Sequence, residues 1–384
     1  MTLEPLNILW QTPHTDDTTS NEVVTINGIY QGNPLFEFSL YHPLTRYEYL
    51  DGSTGQSLWE WNEKLPLKLT YLRKQNHIWN HLYIGNYRDH RIAIDMHSGK
   101  TVWHTIITDP KACGKPRIAV INDLIYHCVE DCSSDNSFAF LIRTHITSLA
   151  QDTILTMYKK DFDGFTPGYE SFALYINSKN DSILIFQNRM VNWSNTKLRT
   201  DLYAYNLRTH NFEWQHFNFT PSGNSSVWDP IIWDDKIYFQ GDETIYCLDA
   251  HSGNILWQRT FEIYQNHLLR AKSILRDGRL IVHPEGNTIY ALDPFSGTII
   301  WQNDKVGEAP SQELQYHNGV IYWNFGELWA VDAQTGKILW QHSSPNFSFK
   351  RPAVFNNTNV YIDPDRGVLF TTDLFYAMCI KLIR

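Results

Sequence analysis

The chain lacks several things that would have placed it quickly. It has no long apolar run: nothing approaches the roughly 18 continuous apolar residues that a membrane-spanning helix needs. It has little cysteine. Cys113, Cys128, Cys132, Cys247 and Cys379 are odd in number and irregularly spaced, which argues against a disulfide framework. It has no excess of positive charge: 32 Lys and Arg stand against 41 Asp and Glu, for a net charge of −9. General nucleic-acid binding needs clustered cations to neutralise phosphates, so that class is disfavoured. An acidic surface still admits a basic protein partner. The start of the chain has no basic segment leading into an apolar run, so no signal peptide is read there. The expectation is a soluble, cytoplasmic, monomeric protein; a periplasmic one would need an export segment ahead of residue 1.

What the chain has is aromatic residues, 14% of 384, including 14 Trp and 21 Tyr. Its length would suit two or three ordinary domains, but internal repeats override that prior. Five segments align: "YEYLDGSTGQSLWEW", "RIAIDMHSGKTVWHT", "IYCLDAHSGNILWQR", "IYALDPFSGTIIWQN" and "LWAVDAQTGKILWQH". Each carries Asp, then Gly four later, then Trp four after that. The triples are Asp51, Gly55, Trp59; Asp95, Gly99, Trp103; Asp249, Gly253, Trp257; Asp293, Gly297, Trp301; and Asp332, Gly336, Trp340. A sixth copy keeps the spacing with Asn206, His210 and Trp214.

The unit reads as a hairpin. Apolar or alternating residues before the Asp suit a buried strand. The Asp starts a turn, because its carboxylate accepts N–H groups two residues on. Gly supplies a positive φ without steric cost, and His210 is of a type that tolerates the same conformation. A second strand follows and carries the Trp. Successive Trp residues lie 44 apart from 59 to 103, 43 from 214 to 257, 44 from 257 to 301 and 39 from 301 to 340. Two more strand-like runs precede each hairpin, such as "PIIWDD" and "KIYFQG" before "IYCLD". Four strands in about 40–45 residues predict propeller blades around a channel. Each Trp would bury roughly 150–250 Å² between blades, an upper estimate of about 4–6 kcal/mol.

The interval from Trp103 to Trp214 is 111 residues, room for two blades. The unseen copy falls near "THITSLAQDTILTMYKK", with Met157 or Tyr158 expected in the Trp place and no recognisable turn. The string "NILWQ" at 7–11 recurs at 254–258, where it finishes a unit. The chain ends "LFYAMCIKLIR", a third strand with no Trp strand after it. Residues 6–11, with Trp10, are therefore expected to complete the last blade. The expectation is an all-β, closed eight-bladed propeller of four-stranded antiparallel blades, one domain over 1–384. Closure removes the sheet edge that an open array would expose.

The pattern resembles the pyrroloquinoline-quinone-like repeat, the tryptophan-docking repeat of quinoproteins, strongly over 222–342 and weakly over 112–200. It differs from the WD repeat: "WD" occurs at Trp228–Asp229 and Trp233–Asp234, on first-strand segments. The resemblance implies the fold; the same blades build dehydrogenases, assembly factors and scaffolds. A quinone-dependent dehydrogenase would imply PQQ and calcium in the channel, a catalytic Asp and, in many members, a vicinal cysteine pair. No two cysteines here are adjacent, the nearest being Cys128 and Cys132, and the haem motif C-x-x-C-H is absent. The repeat aspartates are explained by turns. No catalytic residue, metal ligand or cofactor is assigned. "DFDGFTPGYE", Asp161 to Glu170, places Gly164 two positions early for an EF-hand and reads as a polar turn. His77 and His81 read as surface or packing residues.

Two stretches exceed the repeat length, both between second and third strands: 128–137 in the third blade and 188–200 in the fourth. The second carries Met190, Val191 and Trp193 among Arg189, Lys197 and Arg199, an apolar tip with a basic rim suited to protein contact. The alternative is a long hairpin folded onto its own blade. The channel mouth on that face is expected to be ringed by Lys115, Arg117, Trp228, Asp229, Arg270, Lys272, Gln312, Glu313, Lys350 and Arg351. The leading functional expectation is a non-catalytic scaffold that binds a protein partner, as an assembly factor or as an immunity-type inhibitor of a basic toxin. The alternative is the dehydrogenase.

Overall fold

Eight four-stranded antiparallel sheets succeed one another along the chain. The computed structural model describes residues 6–13, 23–39, 45–63, 77–87, 90–106, 118–131, 138–192, 194–223, 225, 228–261, 271–347, 353–355, 360–373 and 375–382. In blades 1 to 7 the strands are paired in sequence order, as in blade 5, Ile231–Trp233, Lys236–Gln240, Thr244–Asp249 and Ile255–Thr260. Blade 8 takes three strands from the C-terminal end of the chain and its fourth from the N-terminal end. Ile8–Pro13 pairs antiparallel with Tyr376–Lys381, Trp10 lying opposite Cys379. The Lys381 N–H donates to the Asn7 carbonyl at 2.9 Å, where in blade 1 the Asp51 N–H donates to Gln56. The ring thus closes as the sequence predicts, through a hairpin with no covalent turn.

The turn chemistry is also as expected. Asp51 Oδ1 accepts the N–H groups of Ser53 and Thr54 at 2.9 and 2.8 Å, and the Gly55 N–H closes onto the Asp51 carbonyl. Gly55 has φ +72°, and a Cβ there would stand 2.6 Å from the Trp10 ring. Glycine is therefore required twice, for its φ and for the indole of the preceding blade that lies on it. Gly99, Gly253, Gly297 and Gly336 meet Trp59, Trp214, Trp257 and Trp301 in the same way. Each docked indole also donates to a carbonyl just past the turn's first residue: Trp10 to Gly52, Trp59 to Met96, Trp214 to Ala250, Trp257 to Pro294 and Trp301 to Ala333, at 2.9–3.0 Å. Each of these five tryptophans is thus both apolar filler and a satisfied hydrogen-bond donor.

Blade 3 corrects one expectation. Neither Met157 nor Tyr158 takes the Trp place: Met157 is buried in the blade 3–4 core and Tyr158 is exposed. The turn runs from His145 to Leu149, with the Leu149 N–H on the His145 carbonyl at 3.0 Å. His145 Nδ1 stands in for the Asp carboxylate as the atom facing the turn. Eight residues beyond His145 is Thr153. The sequence hid this turn because neither its Asp, its Gly nor its Trp is present.

Candidate interaction face and central channel

A second kind of tie between blades escaped the sequence reading. On each second strand, two residues beyond the position paired in line with the Trp, stand Glu37, Asn86, Cys128, Gln187, Gln240, His283, Asn324 and Thr372. Of these, all but Asn86 have described side chains, and all seven are buried. They reach the next blade or the segment leading into it. Gln240 Nε2 donates to the Ala271 carbonyl at 3.0 Å while its Oε1 accepts the Ser273 N–H at 3.0 Å. Thr372 donates to the Val24 carbonyl, Asn324 to Thr371 Oγ1, and Cys128 Sγ accepts the Tyr169 N–H. Gln187 Oε1 accepts from Ser225, and His283 Nε2 sits 3.2 Å from the Gly307 carbonyl. Asn27 joins Glu37 at 2.9 Å to Tyr83 at 3.3 Å. Buried polar groups must find partners, and here the partners are backbone groups of incoming strands as well as side chains. The visible signal was one polar residue at a fixed step in each second strand.

The long hairpin of blade 4, Ser182–Asn192 and Lys197–Asn206, is braced on both sides. On one side the segment after the short 3-10 helix Lys159–Asp161 runs along it. The Thr166 N–H donates to the Val191 carbonyl at 2.9 Å, and the Arg189 N–H to Gly168 at 2.7 Å. That segment is the stretch from Asp161 to Glu170, a polar connection that serves as a brace. On the other side the Phe219 N–H donates to the Thr200 carbonyl at 2.6 Å, and Thr200 Oγ1 to Gly223 at 2.8 Å. Asp201, fully buried, holds Arg199 through both oxygens at 2.8 and 3.0 Å and accepts Tyr203 OH at 2.8 Å. Burial and this carboxylate push the Tyr203 phenol up. The Arg199 guanidinium lies over Phe162 and Phe217 at 5.8 and 5.7 Å.

The expected apolar tip is therefore corrected at Met190, whose side chain is wholly inside the core with Phe162, Tyr169 and Cys128. Val191 is half-buried in the brace, and Trp193 lies outside the described residues. Nor do the two arginines form an open basic rim: Arg199 is held by Asp201, and Arg189 lies 3.9 Å from Glu170. Lys197 is exposed, as is Phe217.

At the channel mouth, Lys115, Arg117, Arg270, Lys350 and Arg351 lie outside the described residues. Of the others, Asp229, Lys272, Gln312 and Glu313 tie neighbouring blades. Asp229 Oδ1, beside Trp228, accepts the Phe172 N–H at 2.9 Å. Lys272 pairs with Glu313 at 3.2 Å, and its N–H donates to the Gln312 carbonyl at 3.1 Å. His77, on a first strand, is held down at a pKa of about 4 by burial. The carboxylates Asp229 and Glu313 are thus committed to a backbone N–H and an ammonium. Among the described residues no group of three His, Cys, Asp or Glu is set to hold a metal.

A family model described as outer membrane protein assembly factor BamB matches residues 285–373. The match covers blades 6 to 8 in part, and over those residues the chain is similar to the PQQ-like repeat; the eight four-stranded sheets make the whole a β-propeller. Solved structures share the fold at low identity. A europium-containing methanol dehydrogenase superposes with TM-score 0.60 and 12% identity, over 95% of this chain and 84% of that one. Quinohemoprotein alcohol dehydrogenase from Comamonas testosteroni gives 0.61 and 11%, over 99% and 77%. Sqt1 from Saccharomyces cerevisiae gives 0.65 and 7%, over 99% and 100%. These likenesses are of fold. No curated protein matches the chain by sequence. No helix among the described residues of this propeller is long and apolar enough to cross a membrane.

Proposed function

We propose that this propeller is a non-catalytic scaffold that binds a protein partner through the face where the second-to-third strand connections of blades 3 and 4 emerge. The observation that carries the reading is the braced hairpin of blade 4. It departs from the repeat, it is held by the Thr166–Val191 ladder and the Asp201–Arg199 pair, and it presents Lys197 with Phe217 nearby to solvent. Rigid, pre-ordered surfaces lose little freedom on binding. The description of the matching family model, an assembly factor, supports the same class.

The test uses the whole chain as bait in native lysate, beside a variant carrying Lys197→Glu and Phe217→Ser. A stoichiometric partner captured by the wild type and lost by the variant, with the melting temperature unmoved, is the expected result. Equal capture by both would remove this face from the proposal. In this reading the protein uses no cofactor, so adding PQQ with calcium should leave the tryptophan fluorescence unchanged; saturable quenching would favour the dehydrogenase.

A further inference from the structure

The seam where the two ends of the chain meet holds a small cavity. Its volume is about 210 Å³, and it is lined by Leu9, Gly52, Ser53, Arg366, Val368 and Lys381. Three pieces of the ring meet there: the N-terminal strand through Leu9, blade 1 through Gly52 and Ser53, and blade 8 through the rest. The lining contains two cations and a hydroxyl and no carboxylate. Of the nearby acids, Asp51 is turned to its own turn, and Asp363 is shared between its turn and the Nε edge of Arg366. Asp51 Oδ1 takes the N–H groups of Ser53 and Thr54. Asp363 Oδ1 takes those of Asp365 and Arg366, leaving Oδ2 to the Arg366 Nε at 2.6 Å. The other guanidinium nitrogens are less well served. Among the described residues Arg366 Nη1 meets the neutral Ser53 hydroxyl at 3.1 Å, and Nη2 is buried without a hydrogen-bond partner. Lys381 forms no ion pair among the described residues.

We propose that this cavity is a site for a small oxyanion of the phosphate type, held by Lys381, Arg366 and Ser53, which locks the ring at its seam. Charge-assisted donors of this kind favour tetrahedral oxyanions. The space suits one: a water takes about 30 Å³ of liquid volume, so a phosphate fits with a few waters. Blade 8 and the N-terminal strand are joined only by hydrogen bonds and packing. An anion that touches both, and blade 1 as well, binds the closed ring and not the opened one, so it stabilises closure by mass action.

The test is a thermal melt of the full chain in inorganic phosphate against chloride at matched pH and ionic strength. O-phosphoserine serves as a third arm, to separate a free ion from a phosphate carried on a larger molecule. The expected result is a saturable rise of about 2 °C or more in phosphate over chloride. That rise should be lost in Lys381→Met, whose side chain is exposed and whose removal leaves the core alone, and in Arg366→Gln. A matching response to O-phosphoserine identifies a carried phosphate as the occupant; a response to inorganic phosphate alone identifies the free ion. A rise no larger than that in chloride, or one that persists in Lys381→Met, overturns the proposal.

Discussion

At the scale of single residues, the glycine of each turn and the tryptophan before it form one unit, and the exceptions show why. The turn of blade 4 carries His210 at φ +56° where five others carry glycine. The strand that docks on it has Thr153 in the Trp place, so no indole demands a bare Cα. Blade 3 is the opposite mismatch. Leu149 holds φ +58° in the glycine place, and Trp103 of the preceding blade is half-buried, its indole N–H shut off from solvent and without a hydrogen-bond partner among the described residues. A left-handed leucine costs about 1–2 kcal/mol. Leu149→Gly should therefore raise the denaturant midpoint, by about 1 kcal/mol in stability, with the slope unchanged. Gly253→Ala should lose about 2 kcal/mol or more, since it adds both the φ strain and a clash with Trp214. A histidine sets part of the pH response. Burial holds fully buried His283 at a pKa of about 4, below its ordinary 6.5. Between those values the unfolded chain binds the proton and the folded one does not, so stability is complete above pH 6.5 and falls as pH drops toward 4. Urea midpoints at pH 7, 5.5 and 4.5 should show the fall, and His283→Gln should flatten it. The turn aspartates act lower: the Thr335 hydroxyl and N–H hold Asp332 below 3.8, so its contribution is lost only as pH falls beneath that value.

At the scale of elements, the outer strands share a feature that the repeat pattern alone does not reveal. Before each of the seven repeat tryptophans one residue bulges out of register, as at Ile8/Trp10 and Ala291/Leu292. Among the bulged residues, Leu9, Leu58, Val102, Leu256 and Ile300 are exposed. A bulge twists an edge strand and blunts edge-to-edge pairing, which this ring of eight free outer edges requires. In blade 3 the bulge moves two residues along, to Leu141/Ile142. The blade 4 hairpin shows where pattern reading stops. Its length was legible, because it broke a measured period. The burial of Met190 was not, because the wall that covers it comes from residues 159–168, a connection that reads as solvent-facing. Met190→Asp should therefore unfold the protein or cost more than about 3 kcal/mol, as an unpaired charge placed in the core. A near-native melting temperature for that variant would return Met190 to the surface.

At the scale of the whole molecule, the ring is held shut where the chain is not continuous. Cutting away residues 1–13 removes the fourth strand of blade 8, exposes its third strand and strips Trp10 from Gly55. The expected outcome is a cooperative loss of stability across all blades, read as one shifted unfolding transition; an unmoved transition would show that the seam contributes nothing. The sequence alone determined the turns of blades 1, 2 and 4 to 7 and this closure, because they rest on local chemistry repeated at fixed spacing: Asp for the N–H groups, Gly for the φ, Trp for the neighbouring blade; the blade count followed once the interval from Trp103 to Trp214 was read as two blades by its length. Only the tertiary structure decided the rest. The clasps at Gln240, Thr372 and their equivalents, the neutralised arginines of the hairpin and the cation-lined seam each join residues from different blades. Their chemistry depends on which backbone or side chain lies opposite, and no period in a single chain records that.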